Sequence, residues 1–174
     1  MRFPMTTDRT VKWITALTFV VVLITVPIPL VLFAIPHVPA PVAWASTLVG
    51  FGVPVILVLT VLWAPRAVRL ENGTLIVERL AWSDIRIPLT DIASVEAGPE
   101  LKILGGGASR VAGNGGLMGF TGLFRVANGG AIVRCWATRL DSATVLVHRR
   151  SERPVLLGVD DGAGLLQALR TSVT

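Results

Sequence analysis

Residues 13–65 read WITALTFVVVLITVPIPLVLFAIPHVPAPVAWASTLVGFGVPVILVLTVLWAP, and across these 53 positions between Lys12 and Arg66 there is no Asp, Glu, Lys or Arg. Two segments within the run are long enough to cross a bilayer. Trp13 to Ile35 covers 23 residues and Val42 to Trp63 covers 22. At ~1.5 Å per residue each reaches ~33 Å, against a hydrocarbon core of ~30 Å. Between them, residues 36–41 read Pro-His-Val-Pro-Ala-Pro, whose three prolines cannot continue a helix. The pattern predicts an external turn and an antiparallel pair of transmembrane helices.

Three other readings compete for this block. A cleaved secretory leader would account for the basic start and for Ala43-Trp44-Ala45, but the apolar run is too long and a second follows at once. Pro27 and Pro29 could split the first span into a re-entrant segment, although transmembrane helices tolerate proline kinks. Burial inside a soluble core fails on size, because a chain of 174 residues has no core large enough to hide both segments.

Orientation follows from the flanking charges. Arg2, Arg9 and Lys12 precede the first span, Arg66 and Arg69 follow the second, and the turn has none. The positive-inside bias therefore predicts a multi-pass membrane protein with both termini cytoplasmic. Residues 1–12 are then a cytoplasmic tail and 64–174 a cytoplasmic domain. Trp13, Trp44 and Trp63 fall at span ends, where an indole sits half in lipid and half among headgroups. Lys12, Trp13, Trp44, Trp63, Arg66 and Arg69 are thus the expected membrane-interface residues.

Composition agrees with a membrane protein: 52% hydrophobic, 16% charged and a mean hydropathy of +0.69. The net charge of +5 invites a nucleic-acid reading, but from residue 64 onward 13 basic residues face 10 acidic ones. That balance, with no basic stripe interleaved with aromatics, argues against nucleic acid.

Beyond residue 64 the signals are those of strands. Ala67–Glu71 and Thr74–Leu80 flank Asn72-Gly73, the dipeptide that a type I′ hairpin turn prefers. Ile85, Ile87 and Leu89 alternate with Arg86 and Pro88, and the proline predicts an edge strand or a strand end. Thr90-Asp91 opens a turn into Ile92–Val95, and Leu101–Leu104 reads as a further short strand. Residues 120–126 and 132–136 predict a second hairpin around Asn128-Gly129-Gly130, and Ala143–Arg149 and Pro154–Val159 a pair joined through Arg150–Arg153. Asp160-Asp161 then starts a helix whose Leu165, Leu166, Leu169 and Val173 share one face.

The glycine-rich stretch 105–119 has the composition of a phosphate loop but not its spacing. It lacks the Lys of a Walker loop, and no Gly-x-Gly-x-x-Gly fits. It is expected to be a connection with turns and bulges, with Arg110 close enough to make a backbone-lined anion site with Arg125 or Arg139. Enzymatic constellations fail by count. His37 and His148 fall on opposite sides of the predicted membrane, and Cys135 stands alone as a small packed side chain. No catalytic residue, cofactor or metal is expected.

Some seven short strands and one closing amphipathic helix suggest an antiparallel barrel or sandwich. In detail the chain resembles the bacterial PH-like (pleckstrin-homology-like) family of small two-span membrane proteins. The resemblance is carried by the spans ending in Trp63-Ala64-Pro65-Arg66, the hairpin Asn72-Gly73-Thr74-Leu75 and the run Ile87-Pro88-Leu89-Thr90-Asp91-Ile92-Ala93-Ser94-Val95. Gly119-Phe120-Thr121-Gly122-Leu123-Phe124-Arg125 and the terminal helix complete it. It implies a membrane-anchored all-β fold: a two-helix hairpin followed by a PH-like barrel or sandwich capped by a C-terminal α-helix. The inositide-binding basic cluster of eukaryotic PH domains is missing, because the first hairpin tip is Glu71-Asn72-Gly73-Thr74. Two functions are expected to compete: a membrane-tethered interaction module for a membrane or cytoplasmic protein, and an anionic lipid or small-ligand sensor.

Overall fold

The uncharged block is helical in the computed structural model, which describes residues 1–7, 9–35, 38–98, 108–115, 117, 119–126, 130–138 and 144–173. Helix α1 (Arg9–Thr25) and helix α2 (Ile28–Ala34) are separated at Val26-Pro27, since Pro27 and Pro29 each remove an amide donor from the helical ladder. Helix α3 (Ala40–Leu62) continues through Pro54. A Cβ on Gly50 would lie 2.5 Å from Pro29 Cγ, so this glycine is what lets α2 approach α3. Phe33 and Trp44 meet edge to face at 5.8 Å beside that contact.

Val11–Ala34 and Ala40–Leu62 have mean hydropathies of 2.7 and 2.3 and are long and apolar enough to cross a membrane, yet only 6% of each is buried. A core helix of a soluble protein would be covered. These helices leave most of their apolar surface without a protein partner.

The remaining chain builds two sheets. Strands β1 (Arg2–Pro4), β2 (Pro65–Glu71), β3 (Thr74–Arg79) and β4 (Ile85–Pro88) form the first, in that order. The turn between β2 and β3 has Asn72 at φ 50° and Gly73 at φ 69°, the positive pair that a type I′ turn requires. Pro88 ends β4, which is an edge strand as its proline predicts. A 3-10 turn over Leu89–Asp91 leads into the second sheet.

That sheet contains β5 (Ile92–Ala97), β6 (Ala108–Gly115), β7 (Phe120–Val126), β8 (Ile132–Ala137), β9 (Thr144–Arg149) and β10 (Val155–Gly158), ordered β5-β9-β10-β8-β7-β6. Helix α4 (Gly162–Val173) closes the chain, with Asp161 accepting from the Gly164 amide at 2.8 Å as its N-cap. Leu165 and Leu169 are fully buried with Leu75, Ile87, Val147 and Leu157 in the core between the sheets. A second cluster on the far side of the six-stranded sheet joins Phe120, Phe124, Cys135, Leu146 and Leu156 to Val11 of α1. The result is a PH-like sandwich with a C-terminal helix.

Three features depart from the sequence expectations. Residues 108–115 form a strand rather than a loop. Gly113 and Gly122 face each other across it with φ 118° and 128°, and a Cβ on Gly113 would lie 2.7 Å from Gly122 Cα. Glycine here permits close backbone approach in a bulged ladder, with the register shift between Arg110 and Ala112. β10 runs parallel to β8, because it returns from the β9 hairpin into the gap between β9 and β8.

The third departure is at the start of the chain, where Arg2–Pro4 pair with 67–69 of β2. Phe3 and Met5 enter the core. The Met1 ammonium donates to Leu70 O at 3.0 Å, and Asp160 accepts from Thr6 N and Oγ1 at 3.1 and 2.8 Å. The expected strand at Leu101–Leu104, the Asn128-Gly129 tip, His37 and Arg139 lie outside the described residues.

Candidate functional site: a basic cavity at the foot of the helices

A cavity of about 1260 Å³ lies where the sandwich meets the helices. The strand register explains its floor. Across β6, β7 and β8, Asn114 faces Thr121, which faces Trp136; one step along, Leu123 faces Arg134, which faces Val155 of β10. Period-2 alternation sends these side chains to one face, while Val133, Cys135 and Ala137 go to the cluster behind the sheet. The end of β3 supplies Arg79 and the β3–β4 connection Trp82, while the end of β9 supplies Arg149 and the β9–β10 turn Glu152 and Arg153. The roof is helical, from Ile56 of α3 to Trp63 at its C-cap, with Thr18 of α1.

The charge of this lining is lopsided. Among the described residues five arginines, Arg79, Arg110, Arg134, Arg149 and Arg153, stand against the single carboxylate of Glu152. Arg149 is already committed, holding Asp91 at 2.7 Å and Glu152 beside it. Ser151 and Arg149 together hold the Asp91 carboxyl below its usual range, the Ser151 hydrogen bond contributing most. Arg110, Arg134 and Arg153 form no ion pair among the described residues.

Arg79 donates to the Ser83 carbonyl, its Nε at 2.7 Å, and its guanidinium carbon lies 5.8 Å from the Trp136 ring centroid. Burial pulls its pKa below the ordinary arginine value, opposed by nearby Asp84, and the group remains cationic. The Trp136 indole Nε1 is buried with no hydrogen-bond partner among the described residues.

The helical roof is different in kind. Ile56, Leu57 and Leu59 present hydrocarbon, and Thr18 and Thr60 return their hydroxyls to Ile14 O and Ile56 O at 2.8 and 2.7 Å. Trp63 packs edge to face on Trp82 at 5.9 Å, so one of the indoles expected at the interface is fixed against the sandwich.

Of the expected anion-site residues, Arg110 lines the cavity, Arg125 is exposed on β7 and does not, and Arg139 is not described. Of the expected interface residues, Lys12, Trp13, Trp44 and Arg66 are exposed, while Arg69 lies 3.1 Å from Glu71 and 3.6 Å from Glu78. Arg2 shares Glu78 at 2.7 Å. Reading the sequence missed Arg79, Arg134, Arg153 and Trp136 as site residues. The only available signal was the i, i+2 placement of Arg134 and Trp136 on one strand.

Chemically, the cavity can hold an anion and an apolar group together. His148 Nε2 sits 2.8 Å from Glu96 Oε1 on the β5–β9 surface, outside it. Burial pushes the Cys135 thiol far up, which keeps it protonated and unreactive. Among the described residues no group of three His, Cys, Asp or Glu could hold a metal.

A protein-family model described as "Bacterial PH domain" matches residues 66–172. No curated protein and no solved structure gave a significant match.

Proposed function

The chain belongs to the bacterial PH domain family, and from that premise we propose that it is a non-catalytic interaction module, tethered to the bacterial plasma membrane by two spans. Both termini are cytoplasmic in this reading. The observation that carries it is the pairing of β1 with β2. One strand precedes the first helix and the other follows α3, so both ends of the helical hairpin return to one sheet, as two complete crossings require. The basic flanks Arg9, Lys12 and Arg66 then choose the cytoplasmic side.

The partner is a membrane or cytoplasmic protein, docking by strand addition on β6. That strand ends the six-stranded sheet among the described strands, and its Val111 is 47% exposed. A photo-crosslinking residue at Val111 in intact membranes should capture one protein, and a Val111→Pro variant should lose it. Topology is tested separately. The chain should resist alkaline carbonate extraction, and a C-terminal reporter should be active only in the cytoplasm. Extraction by carbonate, or a tail digested by external protease on sealed cells, would overturn the tethered reading.

A further inference from the structure

We propose that the cavity between α3 and the β6–β8 face is a binding site for an anionic phospholipid of the adjoining leaflet, its headgroup held by Arg110, Arg134 and Arg153 and its chains lying along Ile56 and Leu59. The site goes beyond the protein-docking role and rests only on the bilayer placement proposed above.

Charge is the first argument. Cations gathered around one cavity repel one another, and Arg110, Arg134 and Arg153 have no carboxylate within ion-pair distance among the described residues. Glu152, the one acid among the described residues of the lining, is held by Arg149. A phosphate would relieve that repulsion and accept the forked donors of guanidinium groups.

The floor carries a second, independent observation. Trp136 is only 6% exposed, lines the cavity, and keeps a buried indole N–H without an acceptor among the described residues. A buried donor left unmade is costly, and a phosphate or ester oxygen in the cavity is an acceptor of the right kind.

The roof selects a lipid over a free anion. From Ile56 to Trp63 the cavity follows α3 for ~10 Å at the helical rise of 1.5 Å per residue. The wall there is hydrocarbon, with its threonine hydroxyls already bonded to their own helix. A free phosphate would leave this wall facing water, whereas acyl methylenes cover it. The volume of about 1260 Å³ exceeds what a drug-sized ligand usually fills, enough for a headgroup with the upper part of its chains. Anionic lipids of the cytoplasmic leaflet supply the charge at that depth.

The test uses the full-length protein in a mild non-ionic detergent, with native mass spectrometry to read adducts and tryptophan fluorescence to titrate binding. The probes are dihexanoyl phosphatidylglycerol, dihexanoyl phosphatidylcholine and inorganic phosphate. Phosphatidylglycerol should bind and the other two should not at matched concentration. An Arg110→Gln/Arg134→Gln double variant should bind about tenfold or more weakly, on the basis of ~1 kcal/mol per basic residue near an anionic surface. Arg125→Gln should be unchanged. Ile56→Trp, which narrows the roof and leaves every arginine in place, should weaken the lipid as well.

Equal binding of inorganic phosphate would make this a soluble-anion site and overturn the proposal. So would equal binding of phosphatidylcholine, an unaffected double variant, or a retained peptide in place of lipid. A variant that loses the lipid while its thermal transition without lipid is unchanged supports the site. Carbonate extraction reports on bilayer placement independently, so lost selectivity in a carbonate-resistant protein counts against the cavity alone.

Discussion

The helices and the sandwich are both rich in Val, Leu and Ile, yet they dispose of them in opposite ways. Leu156 and Leu157 of β10 are both fully buried although they point to opposite faces of the sheet, whereas Leu48 of α3 is 75% exposed. Hydrophobicity alone therefore does not decide what covers a side chain. In the sandwich the cover is protein on both faces, and around the helices the protein supplies almost none. The same leucine is worth several kcal/mol to the fold in one region and almost nothing in the other.

The sharpest challenge to this division concerns Phe3 and Met5, which precede the helices in sequence but lie in the core of the sandwich. A Phe3→Ala/Met5→Ala variant should be the most destabilised, since each truncation costs about 2–5 kcal/mol against a typical total of 5–15 kcal/mol. Urea denaturation in detergent, followed by near-ultraviolet circular dichroism, measures it. Near-native stability would return residues 1–7 to the status of a tail. By the same logic a fragment starting at residue 66 should be much less stable than the whole chain.

The direct comparison comes next. Leu157→Ala should cost about 2–5 kcal/mol and Leu48→Ala less than about 0.5 kcal/mol by the same measurement. Equal losses would erase the distinction. Gly113→Ala should cost about 1–3 kcal/mol, because φ of 118° and a Cβ 2.3 Å from Thr121 O strain the β6–β7 ladder. Its effect should appear in hydrogen exchange of β6 and β7 and leave the helices unchanged.

The smallest effect is a pH dependence confined to the sandwich. The Asp91 carboxyl is held below its unfolded value, so its contribution is present above the usual carboxylate pKa and is lost as the pH falls through the lower folded one. An Asp91→Asn variant should lose that part of the acid sensitivity. Melting temperatures between pH 6 and pH 3 should converge with those of the wild type, and parallel curves would sink the assignment.

Local chemistry was legible in the sequence and long-range assembly was not. The uncharged run, the Asn72-Gly73 turn, the edge-ending Pro88 and the Asp161 cap each act within a few residues, and each has a recognisable spacing. β1 was missed because three residues carry no periodicity, although Phe3 and Met5 do alternate. β6 was read as a loop because glycine marks a turn and a close strand approach equally well; only the facing Gly122 distinguishes them. The cavity draws on both helical spans, two inter-strand connections and strands of both sheets, and of the two arginines within the described residues that were first expected to form an anion site, Arg110 reaches it and Arg125 does not.

Because β1 and β2 belong to one sheet, the helical hairpin is an insertion inside the sandwich. Met1 and Leu70 stand 69 positions apart, so at ~5–20 residues per second β1 waits about 3–14 s for the strand that completes it. With the hairpin inserted in a bilayer as proposed, β1 would have to stay during that interval on the side where the rest of the domain will appear. An end carried across the bilayer would leave the newly made sheet without its first strand and with a hole where Phe3 and Met5 belong. In that proposed setting, folding of the domain would act as a checkpoint on insertion: only a chain threaded in the right sense could close.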